Sequence, residues 1–107
     1  MSKAQLRRIV TAATAAAQVN LDGEGQFAVV VKNPATDEDT ANSMTVSFAG
    51  MLTGSIDFVT VQIRNASNVV RVPQGAVTFS GTTVTIADTG LVTTDQVIVT
   101  AFTSQLF

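Results

Sequence analysis

The side chains in this chain that could do chemistry are carboxylates. Of 107 residues, eight are Asp or Glu, six are Lys or Arg, and none is Cys or His. Without thiols there is no disulfide, no thiolate zinc site and no Cys nucleophile. Without imidazole the commonest general base and metal ligand is also missing. The acids are Asp22, Glu24, Asp37, Glu38, Asp39, Asp57, Asp88 and Asp95. A glycosidase needs two of them facing each other across a cleft. All but Asp57, which opens an expected strand, fall in expected turns or at strand ends, where carboxylates are usually solvated. The run Asp37-Glu38-Asp39 could gather calcium, but the spacing, Gly and distal Glu of an EF-hand are missing. It reads as a solvated loop tip. Gly23-Glu24-Gly25 has no expected strand before it and no expected helix after it, so it is not a phosphate loop. The sequon Asn65-Ala66-Ser67 matters only on a secreted eukaryotic chain. The expectation is a protein that is not an enzyme and uses no cofactor and no metal.

Charge narrows the partners. Lys3, Arg7 and Arg8 precede every carboxylate in the chain, and the net charge is −2. Three cations at one end give a modest, salt-dependent attraction to phosphate, with no base-stacking aromatics beside them. Nucleic acid is not expected as a partner. The same asymmetry suits head-to-tail pairing of subunits, basic end against a neighbour's acidic loop. No stretch approaches the 18 or so apolar residues of a membrane helix, and the segment after Arg8 is too weakly apolar for a signal peptide. Membrane contact is not expected either. Charged residues are only 13% of the chain and hydrophobic ones 46%, against about 25% charged in an ordinary domain. Thr and Ser can cover part of the surface; the rest is expected to meet other subunits.

The elements that would position these residues are mostly strands. In residues 76 to 87, Val77 and Phe79 alternate with Thr78 and Ser80, and Val84 and Ile86 with Thr83 and Thr85. Gly81-Thr82 between them suits a two-residue type II′ turn, which needs φ > 0 at its first position. That loop sets Ser80 opposite Thr83, Phe79 opposite Val84 and Val77 opposite Ile86, all four apolar side chains on one face. Period-2 patterns also predict strands over residues 26 to 32, 44 to 49, 58 to 64, 69 to 72 and 96 to 103. The run Val29-Val30-Val31 implies a strand buried on both faces. Residues 33 to 43 read as a loop. At the N-terminus, Ser2 and Gln5 have capping-box spacing. Leu6, Ile9, Val10, Ala13, Ala16 and Ala17 behind them fall at 3, 4 and 7 spacing. That predicts a helix over residues 3 to 18. The expected fold is mainly β, an antiparallel β-sandwich of about seven strands with one N-terminal α-helix. Residues 1–21 would form the helix and linker, and residues 22–107 the sandwich, as a single globular unit.

The C-terminal half runs from Gly75-Ala76-Val77-Thr78-Phe79-Ser80-Gly81-Thr82-Thr83-Val84-Thr85-Ile86 to Thr94-Asp95-Gln96-Val97-Ile98-Val99-Thr100-Ala101-Phe102. A Thr/Val hairpin, a turn and then an Asp-x-Val-x-Val-Thr strand resembles the β-domains of tailed-phage virion structural proteins. The likeness covers about a third of the chain and is one of style. It implies a non-catalytic structural protein located in the virion, a capsid decoration or cement protein first, then a head–tail or tail component. Its partners would be other copies of itself, as a homo-oligomer, and a major capsid protein. The candidate interface residues are Lys3, Arg7 and Arg8 on the expected helix, and Leu106 and Phe107 after the last expected strand. A carbohydrate-binding sandwich module is the alternative, though such sites usually stack sugars on Trp or Tyr and only Phe is present here.

Overall fold

The computed structural model describes residues 4–11, 14–21, 25–52 and 54–103. The strands are β1 (Ala4–Thr11), β2 (Thr14–Leu21), β3 (Gly25–Lys32), β4 (Ser43–Ser47), β5 (Phe58–Arg64), β6 (Val70–Arg71), β7 (Val77–Ser80), β8 (Thr83–Ala87) and β9 (Gln96–Thr103), with one short helix, α1 (Thr36–Ala41). They form two antiparallel sheets. The larger has the order β1-β2-β3-β9-β5-β6 and the smaller β4-β8-β7.

The β7–β8 hairpin has the register that its turn chemistry and its pattern both select: Ser80 opposite Thr83, Phe79 opposite Val84, Val77 opposite Ile86. Gly81 has φ +60°, and Thr82 is not among the residues with positive φ, as a type II′ turn requires. In β9, burial alternates residue by residue, with Val97, Val99 and Ala101 sealed and Ile98, Thr100 and Phe102 half-buried. β9 sits between β3 and β5, paired with each along seven residues.

One core lies between the sheets. Val30, Val61, Ile63, Val97 and Val99 from the larger meet Met44, Val46, Val84 and Ile86 from the smaller, together with Phe48 and Leu91 from outside the strands. Each such side chain contributes about 1.5–3 kcal/mol by leaving water. β4 lies beside β3, where Lys32 Nζ donates to the Thr45 carbonyl at 2.9 Å. At the opposite side, Arg71 of β6 reaches the residue that follows β8. The larger sheet therefore continues past the smaller one through β2 and β1.

The helix expected over residues 3 to 18 is not there; residues 4–11 and 14–21 are strands. β2 pairs with β3 along eight residues and β1 with β2 along eight more. The alanines favour a helix, but an isolated helix of this length is marginal in water. A strand finds a ready-made edge on β3, and Ile9, Val10, Thr11, Thr14 and Val19 supply β-branched residues for it. Residues 4–11 and 14–21 thus belong to the larger sheet rather than to a separate helical arm. The loop expected over residues 33 to 43 contains α1 instead. Its three acids stand in the first turn, where the helix dipole favours them. Glu38 Oε1 accepts the Ala35 N–H at 2.9 Å, and Asn42 ends the helix at φ 57°.

Candidate interaction surface

Three of the carboxylates, Asp88, Asp95 and Glu38, are engaged in holding the fold. Asp88, expected to be solvated, is 1% exposed. Arg71 Nη1 donates to its Oδ2 at 2.5 Å and Arg71 Nη2 to its Oδ1 at 2.9 Å. The backbone N–H of Gln74 donates to Oδ2 at 2.9 Å and that of Gly90 to Oδ1 at 2.7 Å. Four donors on two oxygens leave the carboxylate fully satisfied. The hydrogen bonds from Arg71 outweigh burial and, with those from Gln74 and Gly90, hold the Asp88 carboxyl below its ordinary range. The same pairing raises the Arg71 guanidinium. One side chain thus ties β6, the approach to β7 and the turn after β8. Asp95 is also buried, its Oδ2 accepting the Val92 N–H at 3.1 Å and its carbonyl the Asn33 side chain at 2.7 Å.

Glu38 joins α1 to the sheets. Its Oε2 accepts Lys32 Nζ at 3.2 Å and the Thr45 N–H at 3.1 Å. Burial pushes this carboxyl up, but the hydrogen bonds from Ala35, Thr45 and Lys32 together bring it below its usual value. Among the described residues, no three carboxylates gather in a way that could hold a metal ion. Asp37, Glu38 and Asp39 occupy successive positions of one helical turn, where side chains diverge rather than converge. Asp57 is exposed at the entry to β5, its N–H donating to the Phe102 carbonyl.

Of the residues proposed for an interface, Lys3, Leu106 and Phe107 lie outside the described residues, as do Asp22 and Glu24. Arg7 and Arg8 stand on β1, opposite Gln18 and Ala17. They do not share a helix with the other candidates.

The surface that the structure does present is the far face of the larger sheet, the one turned away from β4, β8 and β7. Phe27, Phe102 and Phe58 stand directly opposite one another on β3, β9 and β5. The next row is Ala17, Val29, Thr100 and Thr60, and beyond Ala15 the next is Val31, Ile98 and Gln62. Phe27, Val29, Val31, Ile98 and Phe102 are half-buried by their neighbours in the sheet, and Phe58 is 60% exposed. Arg64, opposite Gln96 at one end, carries the charge on the described outward positions of β3, β9 and β5. A second apolar group, Val69, Val70 and Val72, is exposed at the short edge strand β6.

No protein-family model matches the chain, and neither a curated protein nor a solved structure matches it.

Proposed function

We propose that this chain is a non-catalytic structural protein of a virus particle, in the first place a capsid decoration or cement protein. It works by many weak contacts with copies of itself and with a shell protein. The observation that supports this reading best is the far face of the larger sheet. It carries a row of three phenylalanines, and Val29, Val31 and Ile98 extend the apolar area between Thr60, Thr100 and Gln62; large apolar patches of this kind mark interaction sites. A lattice repeats each contact many times, so a modest interface per copy is enough. The engaged carboxylates fit a rigid building block, since the buried polar groups brace strands and turns. The stylistic resemblance of the C-terminal half to phage virion domains points the same way.

The test is quantitative mass spectrometry of purified particles from the source that encodes the chain. A decoration protein is expected at a copy number comparable to the shell protein. A head–tail or tail component would instead appear at a small fixed multiple of the tail symmetry. Absence from the particles overturns the virion reading.

A further inference from the structure

We propose that a second copy of this chain stacks on the far face of the larger sheet, sheet against sheet, across the Phe27–Phe102–Phe58 row and the Val29 and Val31 beside it. The inference names the partner of the surface on which the structural reading rests.

The pattern of β3 is the first reason. Val30 is 1% exposed in the core, while Val29 and Val31 on either side of it are half-buried on the opposite face. Strands that are apolar on both faces belong to sheets covered on both faces, and antiparallel sheets with one wet face alternate with polar residues instead. β3 does not alternate in that way, and in a single chain the smaller sheet covers one side only.

Size points to the occupant. Five paired strands, about 4.8 Å apart and about 3.4 Å per residue over eight residues, offer roughly 650 Å² in projection. A standard interface takes about 800 Å² of accessible surface from each partner. A docked helix or a single added strand would cover a stripe of this face and leave the rest wet. Another broad sheet face covers it, since sheets pack face to face at about 10 Å. The chain carries one such face of matching size and polarity.

Charge fits self-pairing as well. The described outward positions of β3 and β9 carry no charge, so stacking one copy on another buries none at the centre of the face; Arg8, in register with Ala17 and Val29, stands on the edge strand β1 at its rim. Arg64 lies at the end of β5 opposite to Phe58. A two-fold axis lying in the interface and across the strands puts Arg64 of one copy near the phenylalanine end of its mate rather than against the mate's own Arg64. Isologous contacts of this kind are the commonest in homo-oligomers.

The experiment is sedimentation velocity on the full chain up to about 100 µM, the range for a weak repeated contact. The wild type is expected to form a dimer, or a larger assembly built on one. Phe58→Asp and Val29→Lys are each expected to weaken association by about 100-fold or more, as for loss of a central anchor. Because a variant can fail to fold, a second measurement uses the absence of cysteine. Thr60→Cys, on the far face, is expected to react with a maleimide more slowly as concentration rises through the association range. Thr78→Cys, exposed on the smaller sheet, is expected to react at a constant rate. A wild type that stays monomeric throughout overturns the inference, as does slowing at Thr78→Cys without slowing at Thr60→Cys. A monomer that is nevertheless found in particles leaves the virion reading standing and removes self-stacking alone. A dimer absent from particles does the reverse.

Discussion

At the scale of single residues, Asp88 carries the most structure for its size. Its side chain is sealed from water and holds Arg71 and two backbone N–H groups. Asp88→Ala removes all four hydrogen bonds and leaves the Gln74 and Gly90 donors without their partner. The expected loss is about 3 kcal/mol, read as a fall in melting temperature. Asp88→Asn keeps the shape but not the charge and is expected to lose less. The pH dependence follows from the direction of the shift. Asp88 is held below the ordinary carboxylate range, so its contribution is present above about pH 4 and fades as pH falls through its lower folded value. Glu38 is shifted the same way and adds to the same acid limb. Between about pH 5 and pH 2 the wild type is expected to lose stability more steeply than Asp88→Asn. Parallel melting curves for the two proteins across that range would contradict this assignment. Asp88 and Gly90 are two residues apart and Arg71 is the residue between two exposed valines. That Asp88 falls in a turn or at a strand end is legible in the sequence, but its partner seventeen residues upstream is not.

At the scale of elements, legibility tracks how local the deciding interaction is. The β7–β8 hairpin could be read with its register because Gly81 and the alternation of Val77, Phe79, Val84 and Ile86 sit within a dozen residues. Gly81→Val is expected to cost about 1–3 kcal/mol by forcing a β-branched residue to positive φ, and an unchanged melting temperature would contradict that turn. β5 and β9 were equally plain, since period 2 needs no partner to be seen. The N-terminal stretch was misread because Leu6, Ile9, Val10 and the alanines satisfy a helical spacing on their own. What decides for strands is the open edge of β3, a fact of the assembled sheet. α1 was missed because six residues are too few to show a period, and its acids looked like a loop rather than a first turn. The phenylalanine row could not be read at all. Each Phe is visible, and Val29-Val30-Val31 hinted at two buried faces, but the alignment of Phe27 with Phe102 depends on pairing strands about seventy residues apart.

At the scale of the whole molecule, the strand that closes the larger sheet comes after all the other described strands. β9 pairs Gln26 with Thr103 and Phe58 with Phe102, so β3 and β5 are joined only through it. Topologies dominated by such distant pairings fold in roughly milliseconds to seconds rather than microseconds. Stopped-flow refolding is expected to fall in that range, and a fragment ending at Thr89 is expected to lack a cooperative melt. A cooperative transition in that fragment would show that β3 and β5 find a stable arrangement without β9. The same order of strands has a consequence for synthesis. As the chain leaves the ribosome, β3 is made early and waits with its edge unpaired until residues 96–103 have cleared the exit tunnel. Folding of the larger sheet therefore waits on the last of its described strands. For that interval the nascent chain shows the cell Val29, Val31, Phe27 and Phe58 without the strand that lies between them in the finished sheet.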